Sequence, residues 1–136
     1  MLRDNIKERE KKFHNDRYID DKRNVLSDVY TFAQSSKTLF NNLVTNVNTD
    51  DHILEIGCGT NTISKKIVDM GANVTIIDIS EKAIEIAKQN IQKDIINISC
   101  VVMDAENLEF NDDSFNLIYG SGILHHLSIE KAIFEI

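Results

Sequence analysis

The chain has no proline, only two cysteines and five glycines in 136 residues, and 15 basic side chains against 22 acidic ones. The formal net charge of −7 argues against a nucleic-acid backbone as the main partner, because phosphate binding needs a basic face. Cys58 and Cys100 have neither metal-ligand spacing nor a disulfide pattern, so a reducing cytoplasm is the default compartment. No apolar run approaches the ~20 residues of a membrane span. Arg3, Asp4, Lys7, Glu8 and Arg9 charge the first residues, which therefore do not read as a secretory signal. The missing proline reads only as a compositional bias.

What is present suits one globular domain. Apolar residues make up 42% and charged residues 27%, near globular averages, and the length suffices for a sizeable core. Residues 1–47 form an N-terminal helical segment, for packing or as a lid. Within it, 1–21 is dense in charge, with isolated Phe13, Tyr18 and Ile19. It reads either as a solvated helix or as a lid that folds Phe13, His14 and Tyr18 over a pocket. Residues 22–47 carry Leu26, Val29, Tyr30, Ala33, Phe40, Leu43, Val44 and Val47 at helical spacing, with a break expected near Ser35-Ser36.

From residue 48 the pattern alternates. Short apolar runs predict strands at 52–56, 74–78, 98–103 and 115–119. Helices run through Ile63, Ile67 and Val68, and from Ser80 through Ala83, Ile84, Ala87 and Ile91. Gly71 stands where a helix C-cap glycine belongs, and Ser80 where an N-cap belongs. Ser128 is placed to cap a last helix beginning at Ile129. Runs apolar on both faces, separated by helices, predict an α/β Rossmann-like three-layer fold with a parallel sheet.

Ligands in such sheets sit beyond the carboxyl ends of the strands. There the sequence places Gly57 after the first strand, Asp78 at the second, Asp104 at the third, and Gly120 and Ser121 after the fourth. Gly57 and Gly59 can take positive φ and press backbone against a ligand. Asp78, 19 residues after Gly59, suits the two hydroxyls of a ribose. A pyrophosphate is disfavoured. The third glycine of the dinucleotide fingerprint is replaced by Thr62, and Glu55 would bring negative charge to the phosphates. A cationic amine or sulfonium suits that carboxylate better.

The run Glu55-Ile56-Gly57-Cys58-Gly59-Thr60 resembles the first motif of class I S-adenosylmethionine-dependent methyltransferases. Asp78-Ile79-Ser80 resembles the second motif and Met103 to Leu108 the third. Phe115 to Ile118, leading into Gly120 to Leu127, resembles the fourth. The resemblance covers roughly residues 50–136 and is nearest to small-molecule enzymes of the ubiquinone/menaquinone type. It implies S-adenosylmethionine as cofactor, held by 48–136. Glu55 would complement the methionine ammonium, while the backbone of Gly57, Cys58 and Gly59 closes on that moiety. Asp78 would bind the ribose and Ile79 would pack on the adenine. Asp104 would accept from the adenine amine, Ala105 would offer an N–H, and Gly120 and Ser121 would contact the methionine end. Asn61 stands where the family usually has a third glycine, a substitution that a left-handed backbone tolerates.

Transfer from a sulfonium mainly requires alignment and exclusion of water, with a base for a poorly acidic acceptor. His125 and His126 are the candidate bases, His125 ahead. No metal is expected at them, since no further ligand lies at suitable spacing. The family sheet has seven strands in the order 3-2-1-4-5-7-6. This chain, ending after the fourth, is expected to be a fragment with impaired activity and an association-prone strand-4 edge. The rivals are a non-catalytic cofactor-binding or assembly module, and a less favoured NAD-dependent oxidoreductase.

Overall fold

The computed structural model describes residues 2–19, 34–59, 63–91 and 96–136. The expected helix over 22–33, the Tyr18 side chain, and the substitutions at Asn61 and Thr62 lie outside the described residues. Among the described residues four parallel strands form one sheet in the order β3-β2-β1-β4. They are β1 (His52–Ile56), β2 (Asn73–Asp78), β3 (Ile98–Val102) and β4 (Leu117–Gly120). Register sets Ile56 beside Ile77 on one side and Gly120 on the other, and Asp78 beside Val102. All four strands therefore end at one level.

The central strands are apolar because both their faces are covered. Ile53, Ile76 and Tyr119 face a cluster built with α2 (Gln34–Val44), α3 (Ser64–Val68) and α4 (Glu81–Asn90), which contribute Val44, Ile67, Ile84 and Ala87. Leu54, Ile56 and Ile77 face the opposite way, under Val101, Met103, Phe110, Phe115, Ile123 and Leu127. Ile53, Leu54, Ile76 and Ile77 are fully buried, each worth about 1.5–3 kcal/mol of apolar burial. The edge strands differ. Ser99 and Val102 of β3 reach solvent, and β4 pairs only with β1 among the described residues. The near-continuous apolar character read along the sequence thus corresponds to runs of buried residues only in β1 and β2.

Local chemistry sets the boundaries. Ser80 caps α4 by accepting the Ala83 N–H at 3.1 Å. Gly71, at φ +98°, closes the turn after α3, its N–H reaching the Val68 carbonyl at 2.8 Å. β4 begins two residues later than its apolar run suggests. Phe115 is drawn into an edge-on contact with Phe110, and Asn116 stitches the start of β1 by accepting from His52 N–H at 2.8 Å. Ser128 does precede α5 (Ile129–Glu135), but its side chain makes no cap. Its backbone N–H is instead taken by the Glu106 carboxylate at 2.6 Å.

The first helix, α1 (Leu2–Ile19), lies against α4 and the loops at the carboxyl ends of the strands. Its polar side chains make the contacts. Lys7 pairs with Asp104 and Glu106, Lys11 with Glu81, and Asn15 accepts from the Ser80 hydroxyl.

Candidate functional site

The turn after β1 is shaped by two left-handed glycines. Gly57, at φ +65°, donates its N–H to the Ile77 carbonyl at 2.9 Å, which locks the turn against β2. A Cβ on Gly57 would stand 2.6 Å from the Ile123 Cδ1, so both conformation and space require glycine. Gly59, at φ +54°, turns its N–H onto the Asp78 Oδ2 at 3.2 Å. The other oxygen of Asp78 accepts the Ser80 N–H at 2.8 Å. Asp78 is thereby held by both the loop behind it and the helix ahead of it. A carboxylate has about four acceptor sites, and these two backbone contacts orient it without using them all.

Glu55 is buried in β1. The Tyr119 hydroxyl donates to its Oε2 at 2.9 Å, and the fully buried Ser64 hydroxyl donates to the same oxygen. Ser64 and Tyr119 also lie 3.0 Å apart. The sequence reading missed both. Tyr119 was accessible in principle, because parallel pairing sets it directly beside Glu55.

Asp104 follows β3 by two residues, next to Asp78 across the sheet. Its Oδ1 accepts the Glu106 N–H at 2.9 Å, and its Oδ2 accepts from Lys7. Lys7 also reaches Glu106 at 3.1 Å. Burial by itself lowers the pKa of Lys7, but its bonds to Asp104 and Glu106 outweigh that and raise it above the ordinary lysine value. Ala105 is buried with Leu54, Ile56 and Ile77, and Ile79, the residue after Asp78, is half-exposed.

Gly120 is hemmed in by Ile56 and Ile123, and Ser121 beyond it is exposed. His125 and His126 close a 3₁₀ turn, Leu124–His126. His125 is exposed. His126 is half-buried, with its Nδ1 3.2 Å from Glu10 of α1 and its ring edge-on to His14. Cys58 packs in the core, where burial and the nearby Asp78 and Glu55 push its thiol well above its ordinary value. A thiol so held stays protonated and is no nucleophile. The residues at the strand ends are met by two residues of α1, Glu10 and His14, of which only His14 was anticipated, in the lid reading.

The methyltransferase domain family model matches residues 53–136, all of the sheet but its first residue, His52. The chain belongs to that family. A ubiquinone/menaquinone biosynthesis C-methyltransferase of Zymomonas mobilis is 35% identical over 89 residues, 62% of this chain and 36% of the relative. A ubiquinone biosynthesis O-methyltransferase of Coxiella burnetii is 33% identical over 76 residues, 56% of this chain and 32% of the relative. The chain thus spans about a third of the length of these relatives. Among solved structures, a Haemonchus contortus phosphoethanolamine N-methyltransferase holding S-adenosylhomocysteine and phosphomonomethylethanolamine aligns with a TM-score of 0.60. Its identity is 22%, over 65% of this chain and 21% of that one, so the likeness is one of fold. The class I methyltransferase fold is the one that the strand order and the sequence motifs both indicate. No helix among the described residues is long and apolar enough to cross a membrane.

Proposed function

We propose that this chain is the cofactor-holding part of an S-adenosylmethionine-dependent methyltransferase that acts on a small-molecule acceptor. One observation carries the reading. Glu55, Asp78 and Asp104 stand on three adjacent strands, at or just past their carboxyl ends, around a left-handed glycine turn. Three carboxylates in that order suit a ligand bearing an ammonium, a diol and an exocyclic amine. They repel a pyrophosphate, which argues against a dinucleotide.

The cofactor would be held residue by residue. Glu55, fixed by Ser64 and Tyr119, faces the methionine ammonium, and the backbone of Gly57, Cys58 and Gly59 closes on that end. Asp78 takes the ribose hydroxyls, Ile79 covers the adenine, and Asp104 and the Ala105 N–H meet its polar edge. Gly120 and Ser121 bound the methionine side. When bound, S-adenosylmethionine supplies a methyl group on a sulfonium whose thioether leaves readily.

The protein's share is alignment and dryness. As a lid, α1 shields the strand ends from water, with Lys7 on Asp104 and Asn15 on Ser80 as its latches. Exposed His125 is placed to withdraw a proton from an acceptor hydroxyl or carbon acid. His126, already engaged with α1, is less available for that. Both named quinone-pathway relatives support a quinol-type acceptor.

Incubation with methyl-labelled S-adenosylmethionine and a panel of quinols, phenols and small amines tests this. Slow labelling of an acceptor, as befits the cofactor-holding part alone, and its loss in a His125→Ala chain, is the expected result. Cofactor binding with no transfer to any acceptor would instead favour a non-catalytic module. That second reading draws on the outer edge of β4, which pairs with no strand among the described residues and which a partner strand or a second copy would cover.

A further inference from the structure

Glu10 and His14 lie four residues apart on α1, so they share one helix face. That face meets the 3₁₀ turn after β4. The Glu10 Oε2 lies 3.6 Å from the His14 Nε2 and 3.2 Å from the His126 Nδ1, and the three donor atoms all fall within 4.8 Å of one another. The two imidazoles meet edge to face, centroids 4.9 Å apart, and the Phe13 ring is edge-on to His14 at 5.5 Å. Oε2 itself is buried and receives no hydrogen bond among the described residues. A carboxylate oxygen in that position needs a positive charge, because leaving it unmatched costs about 1–3 kcal/mol or more.

We propose that Glu10, His14 and His126 form a binding site for a divalent d-block cation, zinc by best fit, that pins α1 to the loop after β4. Ligand atoms about 2.0–2.1 Å from a tetrahedral zinc ion stand roughly 3.3 Å apart. Two of the three separations, 3.2 and 3.6 Å, bracket that spacing, and the third, between the two imidazole nitrogens, lies within 4.8 Å. Two imidazoles and one carboxylate suit zinc and its neighbours. Magnesium and calcium prefer oxygen donors throughout. These are the three candidate ligands among the described residues, and a tetrahedral ion takes a fourth. The ion would join the far N-terminal helix to the strand-end loop and hold the lid closed. The site stands independently of which cofactor or acceptor the strand ends take.

The test uses the full chain, stripped with chelator, dialysed and checked by far-ultraviolet circular dichroism. Titration with Co²⁺ is expected to give the visible bands of a tetrahedral site at one equivalent. Zn²⁺ should displace them, and Mg²⁺ should not. Glu10→Gln, His14→Gln and His126→Gln should each weaken Zn²⁺ binding, read by calorimetry, by at least about tenfold. His52→Gln, at the opposite end of the sheet, should leave it unchanged. As a second readout, Zn²⁺ should slow proteolytic cleavage within α1 in the parent chain and not in the His14→Gln variant. Zinc binding indifferent to all three substitutions would overturn the proposal. So would an α1 that gains protection on acidification without binding any metal, since protons would then be the charge that Glu10 receives. S-adenosylhomocysteine binding is measured separately, so failure of either reading is seen alone.

Discussion

Both oxygens of Asp78 accept backbone N–H groups, from Gly59 and Ser80, while the side chain faces the strand ends. Removing it therefore acts twice, loosening the glycine turn and deleting the partner for a ligand diol. Asp78→Ala should lower S-adenosylhomocysteine affinity by roughly 1.5–3 kcal/mol, with a smaller fall in thermal stability. Asp78→Asn keeps one acceptor oxygen and should fall between. Calorimetry on the three chains checks the order, and unchanged affinity in Asp78→Ala would move the ribose elsewhere. Glu55 makes a different demand. It is buried in β1 and tolerable there because Tyr119 and Ser64 both donate to it.

At the scale of elements, α1 is attached to the sheet domain by polar contacts, while α2, α3 and α4 are attached by apolar ones. Its hold should therefore respond to pH. Lys7 titrates higher in the folded chain than its ordinary 10.5, so its contribution is complete below about that pH. It is lost as pH rises through the raised value. Because Lys7 is about a third exposed, solvent screening limits the effect to roughly 0.5–1 kcal/mol. Lys7→Met should be less stable than the parent by that amount at pH 7, and the difference should vanish in strongly alkaline buffer. Thermal melts across the range measure it, and a gap that persists unchanged at high pH would show that the ion pair is not its source. The same melts should show both chains weakening above about pH 9. There the unfolded Cys58 thiol ionises while the folded one, held by burial near Asp78 and Glu55, does not.

For the whole molecule, what could be read in the sequence divides by range of interaction. The runs of β1 and β2 were legible because both faces are buried, and Ser80 because capping is local. Asp78 and Asp104 were legible because a parallel sheet brings its strand ends to one level. The onset of β4 was not, since Phe115 answers to Phe110 and not to its own strand. The lid reading placed His14 over the pocket, but the partners of α1 were not legible. Lys7 meets Asp104 across 97 residues, and Glu10 meets His126 across a longer span still, with no period in the sequence to announce either. The expectation of no metal at the histidines rested on that same short range. What the molecule as a whole requires is a ligand that welcomes three carboxylates around one glycine turn. Calorimetry with S-adenosylhomocysteine and, separately, with NAD measures this most directly. The account predicts saturable one-to-one binding of S-adenosylhomocysteine and none of NAD, and binding of NAD without S-adenosylhomocysteine would contradict it.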